Sequence, residues 1–241
     1  MQGWIRALWR FFYFAVSTSI HIIGFLVVIL FGKSKKDAGA RLRRRWLSHV
    51  PEQMGLRLQV IGKPVPGPCL YVANHIGYID PFMILMKVEA NVVAKAEIKQ
   101  WPLVGLAGYL VGTLFVKREN KDSRMNTANS IREALSEGTS IIVFPEGTTT
   151  AGPQTIFFRP RSFEAAYMAG VPVQPIALLY ESPRVAFIGK DTFIPHFFKL
   201  FQVKEIRCRM HFGPALYGPN TSEQARQWID SVQPGAIVKQ D

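Results

Sequence analysis

The chain has 241 residues, 48% of them hydrophobic, and carries a formal net charge of +12 at pH 7. This length accommodates one full-sized core plus an appendage, and the charge indicates an anionic partner such as a phospholipid surface, a phosphorylated substrate or a nucleic acid. The two cysteines, Cys69 and Cys208, are too few and too dispersed for a disulfide framework, a zinc site or a redox pair. We expect both to be small buried apolar side chains.

The first predicted element is an apolar run at residues 11–31 that contains no charged residue. Its length matches the roughly 20 apolar residues that a helix needs to cross the hydrocarbon core of a bilayer. Ser17, Thr18, Ser19 and His21 make its middle more polar, so a helix hairpin or a helix lying partly in one leaflet competes with a full span. No small-x-small cleavage site follows, which favours a membrane-embedded anchor over a signal peptide.

A basic cluster follows the apolar run, and Asp37 is the only acidic residue within it. The cluster consists of Lys33, Lys35, Lys36, Arg41, Arg43, Arg44 and Arg45. By the positive-inside rule it places the rest of the chain on the cytoplasmic face of the membrane, and it can also bind anionic headgroups or be an ordinary solvated helix face. No nucleic-acid reader motif accompanies the charge, so nucleic acid is not an expected partner. We therefore divide the chain into an anchor with its basic segment, residues 1–48, and a domain at residues 49–241.

This domain alternates short apolar runs with polar helical stretches, which predicts an α/β fold with a mostly parallel central sheet flanked by helices. Strands are predicted at residues 56–61, 69–73, 112–116, 139–144, 173–180 and 206–212. Helices are predicted from Pro81, with Asp80 as the N-cap, and at residues 126–137 and 162–169. The helix at 126–137 connects two of these strands in a predicted βαβ unit.

Polar blocks at residues 74–80, 117–118 and 145–148 each follow a predicted strand. Because the carboxyl ends of parallel strands share one edge of a sheet, where ligands bind, we expect these blocks to lie close together. They form the candidate site of the domain.

His75 is a natural general base within the first block, because imidazole titrates near neutral pH. Asp80 lies five residues later, which is off-register for one helical face, so a loop made flexible by Gly77 is required to bring the two together. In such a loop Asp80 would accept the proton of the remote imidazole nitrogen and fix the tautomer. The alternative is a structural histidine, with Asp80 only capping a helix. A serine hydrolase is not indicated, since the chain contains no G-x-S-x-G elbow.

The blocks NHIGYID, GTLFVKR, FPEGT and VPVQPIAL resemble, in order and spacing, the four motifs of the glycerolipid acyltransferase family, which includes 1-acylglycerol-3-phosphate acyltransferases. The resemblance covers residues 71–178. It implies transfer of a fatty acyl group from acyl-CoA or acyl-carrier protein to the free hydroxyl of a lysolipid, with 1-acyl-sn-glycerol-3-phosphate as the best candidate and phosphatidic acid as the product. It also implies no cofactor, no metal and no covalent acyl-enzyme.

The same resemblance implies roles for single residues. His75 would be the general base of the His-x4-Asp motif and Asp80 its partner, with Asn74 among the substrate-binding residues. Arg118, which closes the second motif, would bind the phosphate or another anionic headgroup of the acceptor, although it can equally be a surface base at the end of a strand.

The third motif would position the acceptor through Glu146, Gly147 and Thr148. Glu146 can accept a hydrogen bond from a hydroxyl or pair with Arg118. A structural ion pair at Glu146 is the alternative.

Two departures from the family pattern concern the acceptor. Thr149 and Thr150 follow the third motif where many members have an arginine or a serine-rich turn, and Arg159 and Arg161 occupy the lysine and glycine positions of a later segment. These arginines are candidate anion-binding residues. The sequence also resembles acyltransferases that act on lyso-ornithine lipid, so lyso-ornithine lipid or another lysophospholipid is an alternative acceptor. A non-catalytic membrane lipid-binding protein is the alternative of another class.

Overall fold

The computed structural model describes residues 1–32, 34–101, 103–116 and 121–233. Within these ranges, seven strands form one sheet in the order β1-β7-β6-β2-β5-β3-β4, and every neighbouring pair is parallel except β6 and β7. The strands are β1 (Leu56–Ile61), β2 (Leu70–Ala73), β3 (Asn91–Lys95), β4 (Leu114–Val116), β5 (Ile141–Val143), β6 (Val173–Tyr180) and β7 (Ile206–Phe212). The predicted α/β fold with a mostly parallel sheet is confirmed.

Helices cover both faces of this sheet in the described part of the chain. They are α1 (Gln2–Leu30), α2 (Lys35–Leu47), α3 (Val50–Gln53), α4 (Asp80–Leu85), α5 (Val104–Leu110), α6 (Lys121–Ser136), α7 (Arg161–Met168), α8 (Phe193–Leu200) and α9 (Thr221–Val232). One apolar core lies between the sheet and α1, α3, α4 and α8, and a second lies between the sheet and α6, α7 and α9.

The central strands β2, β5 and β6 are buried along their whole length. Their sequences are nearly continuous apolar runs because both faces of a central parallel strand are covered by helices. In β7, apolar residues at every second position face the core, while Arg207 and Arg209 are exposed on the other face, as the alternation predicts.

The region between residues 81 and 116 differs most from the prediction. The strand β3 was not predicted, and it lies in the sheet between β4 and β5, so the two strands of the predicted βαβ unit are parallel but not adjacent. The strand β4 starts at Leu114 and not at Gly112, because Gly112 has a φ of +87° and lies in the turn that ends α5. Such a φ is favourable for glycine.

The apolar N-terminal run forms one uninterrupted helix, α1, so the hairpin alternative is not observed. Among the described residues, α1 is the helix that is long and apolar enough to cross a membrane, with a mean hydropathy of 2.1 over 18 residues. One face of α1 is buried from Ala7 to Phe25, against the domain near its start and largely against α2 from Thr18 onward. The buried guanidinium of Arg10 donates to the carbonyl oxygens of Val203 (2.6 Å) and Lys204 (2.7 Å), just after α8. This helix is therefore fixed to the domain.

Part of the basic cluster is used inside the structure. Arg43 of α2 is half-buried and donates to the carbonyl oxygen of Ala90 (2.8 Å) and to the side-chain oxygen of Asn91 (3.2 Å), while Arg44 pairs with Glu89 at 2.6 Å. These two arginines connect α2 to the domain at the start of β3. The alternative of an ordinary solvated helix face therefore does not hold for Arg43.

Candidate active site

The first and third polar blocks meet at one edge of the sheet. The strands β2 and β5 are parallel neighbours, so residues 74–80 and 144–150 leave the sheet side by side. The second block, with Arg118, lies outside the described residues.

Asn74 differs from its expected role in substrate binding. It is 2% exposed, its side-chain amide donates to the carbonyl oxygen of Leu178 (2.9 Å), and its side-chain oxygen accepts from the backbone amide of Leu178 (2.8 Å). Both polar groups of the side chain are satisfied by β6. Asn74 therefore extends the pairing of β2 with β6 and fixes the start of the loop that carries His75.

The loop brings His75 and Asp80 together. Nδ1 of His75 lies 2.8 Å from Oδ2 of Asp80, which also accepts from the backbone amides of Ile76 (2.7 Å) and Gly77 (2.9 Å). Asp80 is fully buried. The prediction of Asp80 as a helix N-cap was wrong, because α4 begins at Asp80 itself and follows Ile79 as its cap, so the carboxylate binds the preceding loop.

Gly77 contributes space as well as a backbone donor. A Cβ atom at this position would collide with the carbonyl oxygen of Val185, and the φ of Gly77 is not in the left-handed region. The glycine that was expected to supply flexibility instead allows close approach of two backbone segments, so the loop is rigidly packed.

His75 is held through both its ring and its backbone. Its ring stacks on Phe144 with centroids 4.2 Å apart, its backbone amide donates to Oε1 of Glu146 (2.8 Å), and its carbonyl oxygen accepts from Thr150 (2.8 Å). The side chain is 20% exposed. Since Nδ1 faces Asp80 and no described residue hydrogen-bonds Nε2, Nε2 is the nitrogen left for a substrate.

Glu146 is buried and connects the loop of His75 to the segment that contains Ile156 through hydrogen bonds. It is 2% exposed, and besides the amide of His75 it accepts from the backbone amide of Ile156 (3.2 Å). Burial raises the pKa of this carboxyl, and the hydrogen bonds from the two backbone amides oppose that rise. No ion pair to Glu146 occurs among the described residues, and Oε2 of Glu146 lies 3.5 Å from the hydroxyl of Thr150, which can donate to it. The suggested pairing with Arg118 lies outside the described residues.

The guanidinium group of Arg159 lies beside the third motif. Gly147 has a φ of +76°, and a Cβ atom there would lie 2.8 Å from Cζ of Arg159. The backbone amide of Arg159 donates to Pro145 (3.1 Å), and its side chain is exposed. Thr148 is exposed in the same turn, and Arg161 begins α7 two residues further along. The segment containing Arg159 therefore places a guanidinium against the turn that follows β5.

Sequence reasoning did not identify Tyr180, whose hydroxyl donates to Oδ1 of Asp80 at 2.7 Å. This residue ends β6, which is hydrogen-bonded to β2. A polar group at the end of an apolar strand beside β2 is the signal that could have identified it, because such positions share the edge that binds ligands.

Comparisons with known proteins agree with the motif resemblance. The Acyltransferase family model matches residues 57–179. A lyso-ornithine lipid O-acyltransferase of Pseudomonas aeruginosa is 35% identical over 167 residues, which cover 67% of this chain and 64% of that relative. A 1-acyl-sn-glycerol-3-phosphate acyltransferase of Neisseria meningitidis is 28% identical over 163 residues, which cover 63% of each chain. The chain thus spans slightly less than two thirds of either relative.

The fold also has a match among solved structures. The crystal structure of a 1-acyl-sn-glycerophosphate acyltransferase from Thermotoga maritima superposes with a TM-score of 0.71 at 18% sequence identity, over 97% of this chain and 95% of that one. At this identity the match concerns the fold alone.

Proposed function

We propose that this chain, which belongs to the acyltransferase family, transfers a fatty acyl group from a thioester donor to the free hydroxyl of a lysolipid. The observation that carries the proposal is the hydrogen bond between Nδ1 of His75 and the buried carboxylate of Asp80, which leaves Nε2 for the reacting hydroxyl. A lipid-binding protein without catalysis has no use for this arrangement.

In the proposed mechanism, Nε2 of His75 takes the proton of the acceptor hydroxyl while its oxygen attacks the thioester carbonyl carbon. The negative charge of Asp80 stabilises the imidazolium as it forms. The tetrahedral intermediate then expels the thiolate of coenzyme A or acyl-carrier protein, and the thiolate takes the proton from the imidazolium. The acyl group passes directly from thioester to ester, without a covalent acyl-enzyme or a metal.

Arg159 is our candidate for binding the anionic group of the acceptor, because its guanidinium is exposed beside Gly147 in the turn that follows β5. Arg118 and Arg161 are further candidates. We take 1-acyl-sn-glycerol-3-phosphate as the first acceptor, with phosphatidic acid as the product. Lyso-ornithine lipid is the second, supported by the name of the Pseudomonas relative.

The proposed function is tested by measuring acyl transfer with the purified protein in detergent. The donors are labelled acyl-CoA and labelled acyl-carrier protein, and the acceptors are a panel of lysolipids. We expect transfer to 1-acyl-sn-glycerol-3-phosphate to exceed transfer to lyso-ornithine lipid and to lysophosphatidylcholine. Transfer to lyso-ornithine lipid alone would establish the second acceptor instead. Absence of transfer with every pair of donor and acceptor would contradict the enzyme and leave the lipid-binding protein.

We further propose that α1 lies in one leaflet of the membrane and does not cross it. The helix α2 and the domain together cover one face of α1 from Ala7 to Phe25, so a spanning orientation would draw both into the bilayer. The opposite face is exposed and apolar, as expected for a helix at the membrane interface. That face includes Ile5, Leu8, Trp9, Phe12, Val16, Ile20, Ile23, Val27 and Leu30.

Exposed bases of α2 support binding to an anionic surface, and by the positive-inside rule we assign the domain to the cytoplasmic face. Lys35, Arg41 and Arg45 are exposed. The membrane lipids would then be partners as well as the source of the acceptor.

The orientation of α1 predicts the outcome of paired substitutions. Ile20→Gln with Ile23→Gln replaces two side chains that are 61% and 60% exposed, and we expect binding to neutral phosphatidylcholine vesicles to fall by roughly 10- to 100-fold, because each loses apolar contact with lipid. The control is Tyr167→Gln with Met168→Gln, on α7 at the other face of the sheet. Vesicle cosedimentation measures both, and equal losses would contradict the orientation.

A further inference from the structure

Tyr180 occupies a buried position behind the candidate catalytic pair. It is 9% exposed, and it is paired with Cys208 in the antiparallel register of β6 and β7. Its hydroxyl donates to Oδ1 of Asp80 at 2.7 Å, on the carboxylate oxygen that does not face His75. The tyrosine is therefore separated from the imidazole by Asp80.

The two oxygens of Asp80 differ in their donors. Oδ2 accepts from Nδ1 of His75 and from the amides of Ile76 and Gly77. Among the described residues, Oδ1 accepts from the hydroxyl of Tyr180. A fully buried carboxylate oxygen without a donor is costly, so this hydroxyl is needed to hold the carboxylate in place.

We propose that Tyr180 is a positioning residue that completes a buried relay from its hydroxyl through Asp80 to Nδ1 of His75. This role rests on the proposed function and deepens it. Tyr180 does not contact the substrate. Its hydrogen bond limits how strongly Asp80 attracts the proton of the imidazole. Tyr180 thereby adjusts the basicity of Nε2.

The ionisable groups around the relay give the direction of the effect. Burial and the charge of Asp80 raise the pKa of Tyr180 well above its usual value, so the phenol remains a donor. Burial likewise raises the pKa of the Cys208 thiol, which stays neutral, and Glu146 is bonded to the backbone of His75. Removing the phenol hydroxyl concentrates the charge of Asp80 on the side of the imidazole and favours imidazolium.

The test compares Tyr180→Phe with Tyr71→Phe, a buried tyrosine of the neighbouring strand β2. For Tyr180→Phe we expect the acidic limb of the pH profile of kcat to move up by roughly half to one pH unit, with kcat at pH 6.5 reduced roughly 3- to 10-fold and KM unchanged. Tyr71→Phe should leave the profile in place. A parallel loss at all pH values, or a shift in the other direction, would overturn the relay.

A second measurement needs neither activity nor a variant. In the unmutated protein, the ¹³Cζ resonance of Tyr180 should shift with the same midpoint as the ring resonances of His75 during a pH titration. Independent titration of the two rings would overturn the relay. Coupled titration in a protein that transfers no acyl group would instead retain the relay and refute the proposed function.

Discussion

Replacing His75 by alanine is expected to lower acyl transfer by about 10²- to 10⁴-fold, the usual contribution of a positioned general base. The substitution removes Nε2, and no described residue beside the ring replaces it, since Phe144 covers one face and Asp80 faces Nδ1. Initial rates with labelled acyl-CoA and 1-acyl-sn-glycerol-3-phosphate measure the change in kcat. The loss should appear mainly in kcat and not in KM for either substrate, because the imidazole acts on the transferred proton.

The matched control is His211→Ala on β7, whose side chain is half-buried and belongs to a strand two positions away from β2 in the sheet. We expect its activity to remain within about twofold, as for most changes away from a site. Thermal unfolding of both variants separates catalysis from stability, because His75→Ala removes one donor from the buried Asp80. A folded His75→Ala protein that retains more than a tenth of the wild-type rate would contradict the general-base assignment.

Much of the sheet could be predicted from the sequence because its central strands are buried on both faces. The run at residues 173–180 corresponds to the central strand β6 without a shift at either end. The edge strand β1 also matches its predicted bounds, residues 56–61. The strand β3 was missed because Asn91–Lys95 is short and only two of its residues are buried. Its place in the sheet depends on pairing with β4 and β5, which are distant in sequence. Tertiary pairing of this kind leaves no periodic signal along the chain.

Residue types in the site were predictable to a greater extent than their contacts. A histidine and an aspartate in one loop indicated an acid-base pair, but nothing local indicated that Glu146 would bind the backbone of His75 across two strands. Asn74 was predicted to bind the substrate because a polar residue next to a catalytic motif is usually interpreted as a ligand contact. In the structure both residues satisfy buried backbone groups of distant segments, and those requirements are visible only once the strands are paired.

Replacing Asp80 by asparagine is expected to reduce kcat by about 10²- to 10³-fold with little loss of fold. The side-chain oxygen of asparagine can accept from Nδ1 of His75 and from the backbone amides of the loop. Its amide NH2 group can donate to the hydroxyl oxygen of Tyr180, because that hydroxyl is free to rotate. The geometry is thus retained, while the negative charge that stabilises imidazolium is lost. Steady-state kinetics and the unfolding midpoint of the same preparation measure the two effects.

The direction of the pH effect distinguishes this charge from its neighbour. Without the carboxylate, imidazolium is less favourable, so the acidic limb of the kcat profile should move to lower pH in Asp80→Asn, opposite to the shift expected for Tyr180→Phe. Asp191→Asn is the matched control, since Asp191 is an exposed carboxylate that accepts from the amide of Ile188 in a surface turn. Shifts in the same direction for Asp80→Asn and Tyr180→Phe would mean that both residues act only on packing. Opposite shifts would mean that the charge of Asp80 stabilises the imidazolium of His75 and that the hydrogen bond from Tyr180 weakens this stabilisation.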